Sequence, residues 1–348
     1  MTTSELTCVV HVHSVYSDGT GTISEIAAAA ARAGADAVLV TDHDRMGGLA
    51  HAGWHGDVLV AVGVEVSPSH GSHLLAFGTP APVRHNGRAL AQILDAVHEA
   101  GGVGFAAHPF SRGGWVLGRA GRAAPWGDLR VPYDGLEVWS LVTDTLEYLR
   151  SPRALLRFRR RPDEVLADPP AENLAAWDAL GARRRVPAIG GLDAHQFGLR
   201  RRGRVLVRTM AYERTFALLR THVLLDAPPT GDAAGDTARV YAAMAAGRAF
   251  IARDSLADAT GFRFAGAGGT VAMGDEAPLP AGGLELVAQT PTACELRLLR
   301  DGEVIAADDG VADLRAHVDR PGVYRVSAHL VRHGRRRTWI LGNPIYLR

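Results

Sequence analysis

His11-Val-His13 closes a β-branched, apolar run from Thr7 to Val12 that reads as a strand. Residues i and i+2 of a strand project to one face, so both imidazoles can reach one ion. The same device recurs in Asp193-Ala-His195, after a strand read over Val186 to Gly190. Asp18 lies in a Ser-Asp-Gly turn, and His43 in Thr41-Asp42-His43-Asp44 after a strand over Ala37 to Val40. Glu65 is near the end of a strand over Val58 to Val66, His73 begins a short strand ending at Phe77, and His108-Pro109 follows a strand from Val103. Neutral imidazole suits zinc, iron or manganese, and carboxylates bridge ions and lower the net charge of a site. Two or three divalent ions held together would clamp a substrate oxygen. They would also lower the pKa of a bound water until hydroxide exists near neutral pH.

Each residue has an ordinary reading when taken singly. An HxH pair is a weak signal, and Ser-Asp-Gly is good turn sequence. Asp42 and Asp44 could cap the next segment, Glu65 could be a surface carboxylate, and His108 could pack in the core. Together they read as a metal site, because all but His73 fall at or just beyond a strand's C-terminal end, where an α/β barrel gathers its catalytic groups. His70 competes with His73 for one role, and His73 is preferred. Of 15 His, ten precede Phe110. His51, His55 and His85 read as loop residues, His98 as exposed on a helix, and His222, His317, His329 and His333 as structural or surface.

The elements that must position these groups alternate from Thr7 to about Ile251. Thr22-Ile-Ser-Glu25 is a capping box opening a helix over Ile26 to Ala33. Leu90, Ile93, Leu94 and Val97 carry helical spacing between Arg88 and Ala100, and Glu172 to Ala182 is a further helix, with others near Phe216 and Tyr241. Leu136 to Trp139, Val205 to Met210 and Arg248 to Ala252 read as strands. Such units make an α/β barrel or an open parallel sheet, and the span is close to the ~250 residues of typical barrels. From about Ser255 the helical period disappears. Leu284 to Ala288, Cys294 to Leu299, Val323 to His329 and Arg337 to Leu341 alternate, with a hairpin signal at Asp301-Gly302. The expected division is a barrel over residues 1–253 and a small antiparallel β-sandwich over 254–348.

The 348 residues suit about two domains at roughly 150 residues each. All 38 basic residues are Arg, against 37 acidic ones, for a net charge of +1. Without Lys the chain has no P-loop, no Schiff-base or pyridoxal-phosphate lysine and no carbamylated lysine bridging a metal pair. Apolar residues make up 47%, enough for a sizeable core. Cys8 and Cys294 offer no thiolate zinc site. No signal-peptide pattern opens the sequence, and no apolar stretch reaches the ~20 residues of a membrane helix, so the expectation is a cytoplasmic enzyme. Arg clusters at Arg157 to Arg161, Arg183 to Arg185 and Arg200 to Arg204 read as solvated surface, with a basic rim for an anionic substrate as the alternative.

HVHSVYSDGTGTISEI, LVTDHD, GVEV, FAAHPF and GLDAH, in this order, resemble the motifs of the polymerase-and-histidinol-phosphatase (PHP) superfamily of metal-dependent phosphoesterases, over residues 7 to 200. The resemblance implies a distorted (β/α)7 barrel and three divalent ions (Zn, Mn or Fe). It implies His11, His13, Glu65 and Asp193 on the first ion, with Glu65 bridging to a second on His73 and His108. Asp18, His43 and His195 would hold the third, Asp18 standing where many members have His. GRAFIARD, PGVYRV and WILGNPIYLR are similar to the carbaryl-hydrolase-related branch, whose members append a small β domain and include carboxylester and carbamate hydrolases. The missing lysine separates the chain from binuclear amidohydrolases, and Glu65 is the residue positioned to bridge instead.

The leading expectation is a metal-dependent phosphoesterase acting on a small phosphate ester through a metal-bound hydroxide. Glu65 and Asp193 would serve the reacting centre, and Arg112 is the nearest candidate for added positive charge, with a plain surface Arg as its alternative. A second reading keeps the metals and attacks a carboxylester or carbamate, with Trp54, Phe110, Trp115 and Trp126 available for an apolar pocket. A third is a nucleic-acid or protein-binding module. The near-zero net charge argues against it, and salt dependence of binding would discriminate. Oligomeric state and the role of the C-terminal strands are left open.

Overall fold

The protein is described by a computed structural model over residues 4–69, 71–113, 115–116, 119–120, 125–127, 129–149, 151–202, 204–208 and 210–348. His70 and the Trp115 side chain lie outside the described residues. The elements that frame the site are β1 (Ser4–Val12), α1 (Ile23–Arg32), β2 (Ala37–Val40), β3 (Val58–Val62), β4 (Val64–Val66), β5 (Leu74–Phe77), α2 (Leu90–Glu99), β6 (Val103–Ala106), β7 (Gly135–Ser140), α3 (Leu141–Leu146), α4 (Ala171–Gly181), β8 (Ala188–Gly191), β9 (Arg220–Leu225), α5 (Ala233–Ala245) and β10 (Ala249–Ala252). α1 starts at the expected capping box. The Glu25 amide donates to Thr22 Oγ1 at 3.3 Å, and the Thr22 amide donates to Glu25 Oε2 at 2.8 Å. Its Ile23, Ile26, Ala27, Ala29 and Ala30 are buried against the strands.

β1, β2 and β3 are parallel neighbours, and β9 and β10 extend that sheet antiparallel beyond β1. A second, five-stranded sheet has the order β8-β7-β6-β5-β4. Its β6, β7 and β8 are parallel, while β5 runs antiparallel to both neighbours. This reversal removes the anomaly of His73. The start of an antiparallel strand lies at the same end as the C-termini of the strands beside it, and Leu74 pairs with Val66 and Ala106.

The mixed α/β character is as expected, but no closed barrel forms among the described residues. The two sheets are tied by isolated bridges, His43 to Glu65 and Val12 to Ala194. Single hydrogen bonds add to these ties, such as the Leu192 amide to the Val10 carbonyl at 2.9 Å. Between β3 and β4 the chain bends at Gly63, where β5 passes so close that a Cβ would stand 2.6 Å from the Ala76 carbonyl oxygen. No regular ladder can run through that crossing.

Beyond β10, β11 (Leu284–Arg300), β12 (Glu303–Val318), β13 (Gly322–Arg332), β14 (Arg335–Gly342) and β15 (Ile345–Leu347) follow. Asp301 and Gly302 make the expected hairpin with φ of 52° and 89°, the left-handed pair such a turn requires. β11 joins two of the short segments read from sequence, and β12 was not among them. β14 pairs antiparallel with β10, so these strands are hydrogen-bonded onto the β1 sheet, 13 strands in all among the described residues. Their own core gathers Phe264, Leu296, Leu298, Tyr324, Trp339 and Ile345 with Phe250 of β10.

Side-chain alternation separates two further cores. Cys8, Val10, Ala37, Leu39, Leu59, Ala61, Leu75, Phe77, Phe105 and Ile189 fill the space between the two sheets. Val9, Val38, Val40, Val60, Val64, Ala106 and Leu136 face the helices. Strict alternation from Cys8 and Val10 would turn His11 and His13 outward. The β1–β2 register instead jumps between Val10 and Val12, and Val12 joins Val9 on the helix side. His11 is the extra residue of a β-bulge, with φ of 64°. Both imidazoles face the interior because of this bulge, not because of plain strand alternation.

Candidate metal centre

Nine side chains foreseen from sequence converge at the C-terminal ends of the strands. Glu65 is their hub. Its Oε2 lies 3.3 Å from both His11 Nε2 and His13 Nε2 and 3.0 Å from His43 Nδ1. Its Oε1 lies 2.7 Å from His73 Nδ1 and 3.1 Å from His108 Nε2. Asp193 Oδ1 stands 3.2 Å from His13 Nε2 and 3.5 Å from His11 Nε2. Asp18 Oδ1 is 3.2 Å from His195 Nε2, and its Oδ2 is 3.8 Å from His43 Nε2. Two of the three groups able to hold an ion among the described residues are His11, His13, Glu65, Asp193 and His13, Asp18, His43, His195. The third pairs His43 with Glu65 and His73.

The hydrogen bonds decide how the histidines divide. A carboxylate only accepts, so His11 Nδ1, 2.8 Å from Glu137 Oε1, carries the proton. His195 Nδ1 donates to the Asp193 carbonyl at 2.9 Å. Ser67 Oγ gives its proton to the Glu65 carbonyl at 3.1 Å and therefore accepts from His43 Nδ1 at 2.7 Å. Ser17 Oγ, which donates to Asp42 Oδ1, faces His13 Nδ1 in the same way at 3.4 Å. All four rings thus present an Nε2 lone pair to the cluster. On this assignment His43 belongs with Asp18 and His195, and His73 and His108 share Glu65 Oε1.

A divalent cation fits this arrangement. His11 Nε2, His13 Nε2 and Glu65 Oε2 are buried atoms without a hydrogen-bond partner. Donors sharing an ion at about 2.1 Å stand about 3.0–3.4 Å apart in octahedral or tetrahedral arrangement, which the separations around Glu65 Oε2 match. Electrostatics agree. Burial opposes charge throughout, yet opposite charges prevail. His11 and the neighbouring imidazoles hold Glu65 and Asp193 well below the usual carboxylate range. Asp18 is held at about 2, chiefly by His195. His11 is raised well above the usual imidazole value by Glu137, Glu65 and Asp193, and His13 to about 9 by Asp193 and Glu65. His43 moves down, its burial outweighing Glu65. The carboxylates demand positive charge among them, which protons or divalent cations supply.

The backbone is bent to this end. His11, His108 and Asp193 have φ of 64°, 29° and 54°, values that cost side-chain-bearing residues about 1–3 kcal/mol each. Asp42, foreseen only as a cap, accepts from the Ser14 amide at 2.7 Å and from Ser14 Oγ at 2.6 Å, fixing the turn that carries Asp18. Thr143 Oγ1 of α3 donates to Asp193 Oδ2. The sequence reading missed Glu137, which is fully buried in β7; its one signal was a lone acid inside the apolar run Leu136 to Trp139.

Other expectations fare differently. Arg112 is 61% exposed and its guanidinium is engaged by Glu172. Trp54 pairs with Leu59 at the opposite end of β3 and packs on the inner core. Trp126 is buried, and its indole N–H holds the His73 carbonyl at 2.9 Å. Phe110 is half-buried. An unforeseen aromatic, Phe197, is 40% exposed and stacks on His195 at 5.1 Å. Members of the Arg clusters are engaged locally: Arg157 and Arg161 with Glu164, Arg184 with the Tyr133 carbonyl, Arg200 with Glu25. No described helix is long and apolar enough to cross a membrane.

The chain is a mixed α/β protein with imidazoles and carboxylates converging at its strand ends, in groups that could hold metal ions. Residues 10–100 match the family model of the PHP domain. No curated protein matches it. Among solved structures it is similar to a two-domain protein from Bacteroides vulgatus described as containing a PHP-like metal-dependent phosphoesterase (15% identity, 98% of this chain and 95% of that one, TM-score 0.43). It is also similar to PsfC from Pseudomonas syringae (16%, 67% and 87%, TM-score 0.40). A third is a protein from Bifidobacterium adolescentis described as a metal-dependent phosphoesterase (16%, 58% and 92%, TM-score 0.32).

Proposed function

We propose that the chain is a metal-dependent phosphoesterase acting on a small phosphate ester, with three divalent ions at the strand ends of a distorted barrel and residues 254–348 as an appended β region. The observation that carries this reading is the convergence of unpartnered, buried His11 Nε2, His13 Nε2 and Glu65 Oε2 at ligand-to-ligand separations. His11, His13, Glu65 and Asp193 would hold the first ion, Glu65, His73 and His108 the second, and Asp18, His43 and His195 the third. Zinc, manganese and iron suit this donor set. When bound, such ions polarise the ester and lower the pKa of water.

The chain's own residues supply the frame. Glu65 turns one oxygen toward each of the first two positions. The proton donations from Nδ1 of His11, His43 and His195 fix each ring's direction. Asp18 and Asp193, held ionised, keep the site attractive to cations. With Arg112 committed to Glu172, neutralisation of phosphate falls to the ions and imidazoles. A second reading, hydrolysis of an aryl ester or carbamate at the same site, draws on the exposed Phe197 face beside His195.

The deciding experiment is metal analysis joined to a panel of phosphomonoesters, phosphodiesters, aryl esters and carbamates on one metal-loaded preparation. Turnover of phosphate esters lost with chelator and restored by Mn²⁺ or Zn²⁺ is expected. Turnover of carbonyl substrates alone would overturn the phosphoesterase reading, and full activity after chelation would overturn the metal site.

A further inference from the structure

Glu137 is not one of the nine residues, yet it hydrogen-bonds to two of them, His11 and His108. It is fully buried in the middle of β7. Its Oε1 accepts the proton of His11 Nδ1 at 2.8 Å, and its Oε2 accepts the backbone amide of His108, also at 2.8 Å. The first bond fixes which nitrogen of His11 carries the proton and thereby aims Nε2 at Glu65 and Asp193. The second secures the main chain at a residue whose φ of 29° lies outside the favoured regions and persists only if its surroundings impose it. The fold reserves space for this carboxylate: a Cβ at Gly191 of the adjacent β8 would overlap Glu137 Oε1 and stand 2.9 Å from His11 Cβ. Gly191 carries no positive φ, so its lack of a side chain answers to the space that Glu137 and His11 occupy and not to backbone conformation.

We infer that Glu137 is a positioning residue that couples the first and second ion positions, orienting the His11 ring and the His108 backbone with one carboxylate, and that Gly191 is the space that lets it do so. This rests on the metal-centre reading above. Two oxygens are needed. A glutamine at 137 has a single carbonyl oxygen, so it can accept from the His11 ring or from the His108 amide but not from both. Its NH₂ group, turned toward His11, would favour the opposite tautomer, with a proton on Nε2 where a lone pair is required.

The test uses the full chain, stripped with chelator and titrated with Mn²⁺ and with Zn²⁺, for wild type, Glu137→Gln and Gly191→Ala. Bound metal is read by elemental analysis and affinity by chelator competition. Two of the three positions should weaken by about 10–100-fold in both variants, the range seen when partners of metal-bound His are removed. The position of Asp18, His43 and His195 should keep its affinity. Glu137→Asp, with both oxygens, should recover part of the loss. Equal weakening of all positions would mark a merely structural role, and wild-type affinity at every position would remove any role; either overturns the inference while the metal centre stands. A wild type that takes up no metal would overturn the metal-centre reading itself, and the inference with it.

Discussion

Among the described residues, two buried clusters of histidine and carboxylate differ in how their atoms are satisfied. In one, His222 of β9 is sandwiched between Glu5 and Asp254, its Nδ1 2.8 Å from Glu5 and its Nε2 3.1 Å from Asp254. Arg263 adds a bond to Glu5 at 2.7 Å, and Arg220 to Asp254 at 3.3 Å. Every ring nitrogen has a partner and the backbone there is regular strand. In the other, the Nε2 atoms of His11 and His13 and Oε2 of Glu65 meet without a partner, and His11 is bent into a left-handed conformation with φ of 64°. Both centre on a fully buried side chain, His222 in the one and Glu65 in the other. A cluster that is complete in itself holds the fold together, whereas one that leaves converging lone pairs is built to receive something.

The comparison can be broken by exchanging the expected consequences. Glu65→Gln should lower metal-dependent turnover on the order of 10²–10³-fold and reduce bound metal, read by steady-state kinetics and elemental analysis. Retention of both by the variant would place the receiving cluster elsewhere. His222→Leu should do the reverse. It removes the imidazole between two buried carboxylates, each of which keeps one Arg, and should cost about 1–3 kcal/mol of stability in urea unfolding, while bound metal per folded chain stays at the wild-type level. A fall in metal content there would erase the distinction.

A pH series sharpens it. Burial lowers the pKa of His222, but Asp254 and Glu5 raise it to about 9. A histidine raised above its ordinary value of about 6.5 stabilises the fold fully below that pH, and the contribution is lost as pH rises through about 9. Chelated protein should therefore show a falling Tm between about pH 7 and 10, with the slope flattened in His222→Leu. The smallest effect is expected at Arg112→Ala. The exposed pair with Glu172 should change stability by less than about 1 kcal/mol, and kcat/KM should stay within about fivefold.

Much of the receiving cluster was legible in the sequence because each ligand follows, or in the antiparallel β5 precedes, an apolar strand run. His11 and His13 were assigned to one face correctly, but for an incomplete reason: alternation alone, counted from the inward Cys8 and Val10, points them outward, and the bulge that corrects this leaves no mark in residue types. Glu137 was hidden because a single acid in an apolar strand announces neither its partners nor the glycine opposite. β12 was missed because both of its faces are largely exposed, so Glu303 to Val318 shows no hydrophobic alternation. The parallel order of strands followed from the alternating pattern, but barrel closure depends on how β5 crosses at Gly63, a matter of backbone path.

The pairing of β10 with β14 has a practical consequence for anyone dividing this chain. Phe250, Ile251 and Ala252 are hydrogen-bonded to Gly342, Leu341 and Ile340. A fragment ending near residue 253 would carry β10 as a bare edge, with unsatisfied amides and carbonyls and with Phe250 deprived of the Phe262 ring that now packs on it at 4.9 Å. Such an edge recruits strands from other copies. A metal-bearing fragment prepared in that way would be prone to self-association, and a loss of activity in it would report on aggregation before it reported on any part played by the C-terminal strands in chemistry.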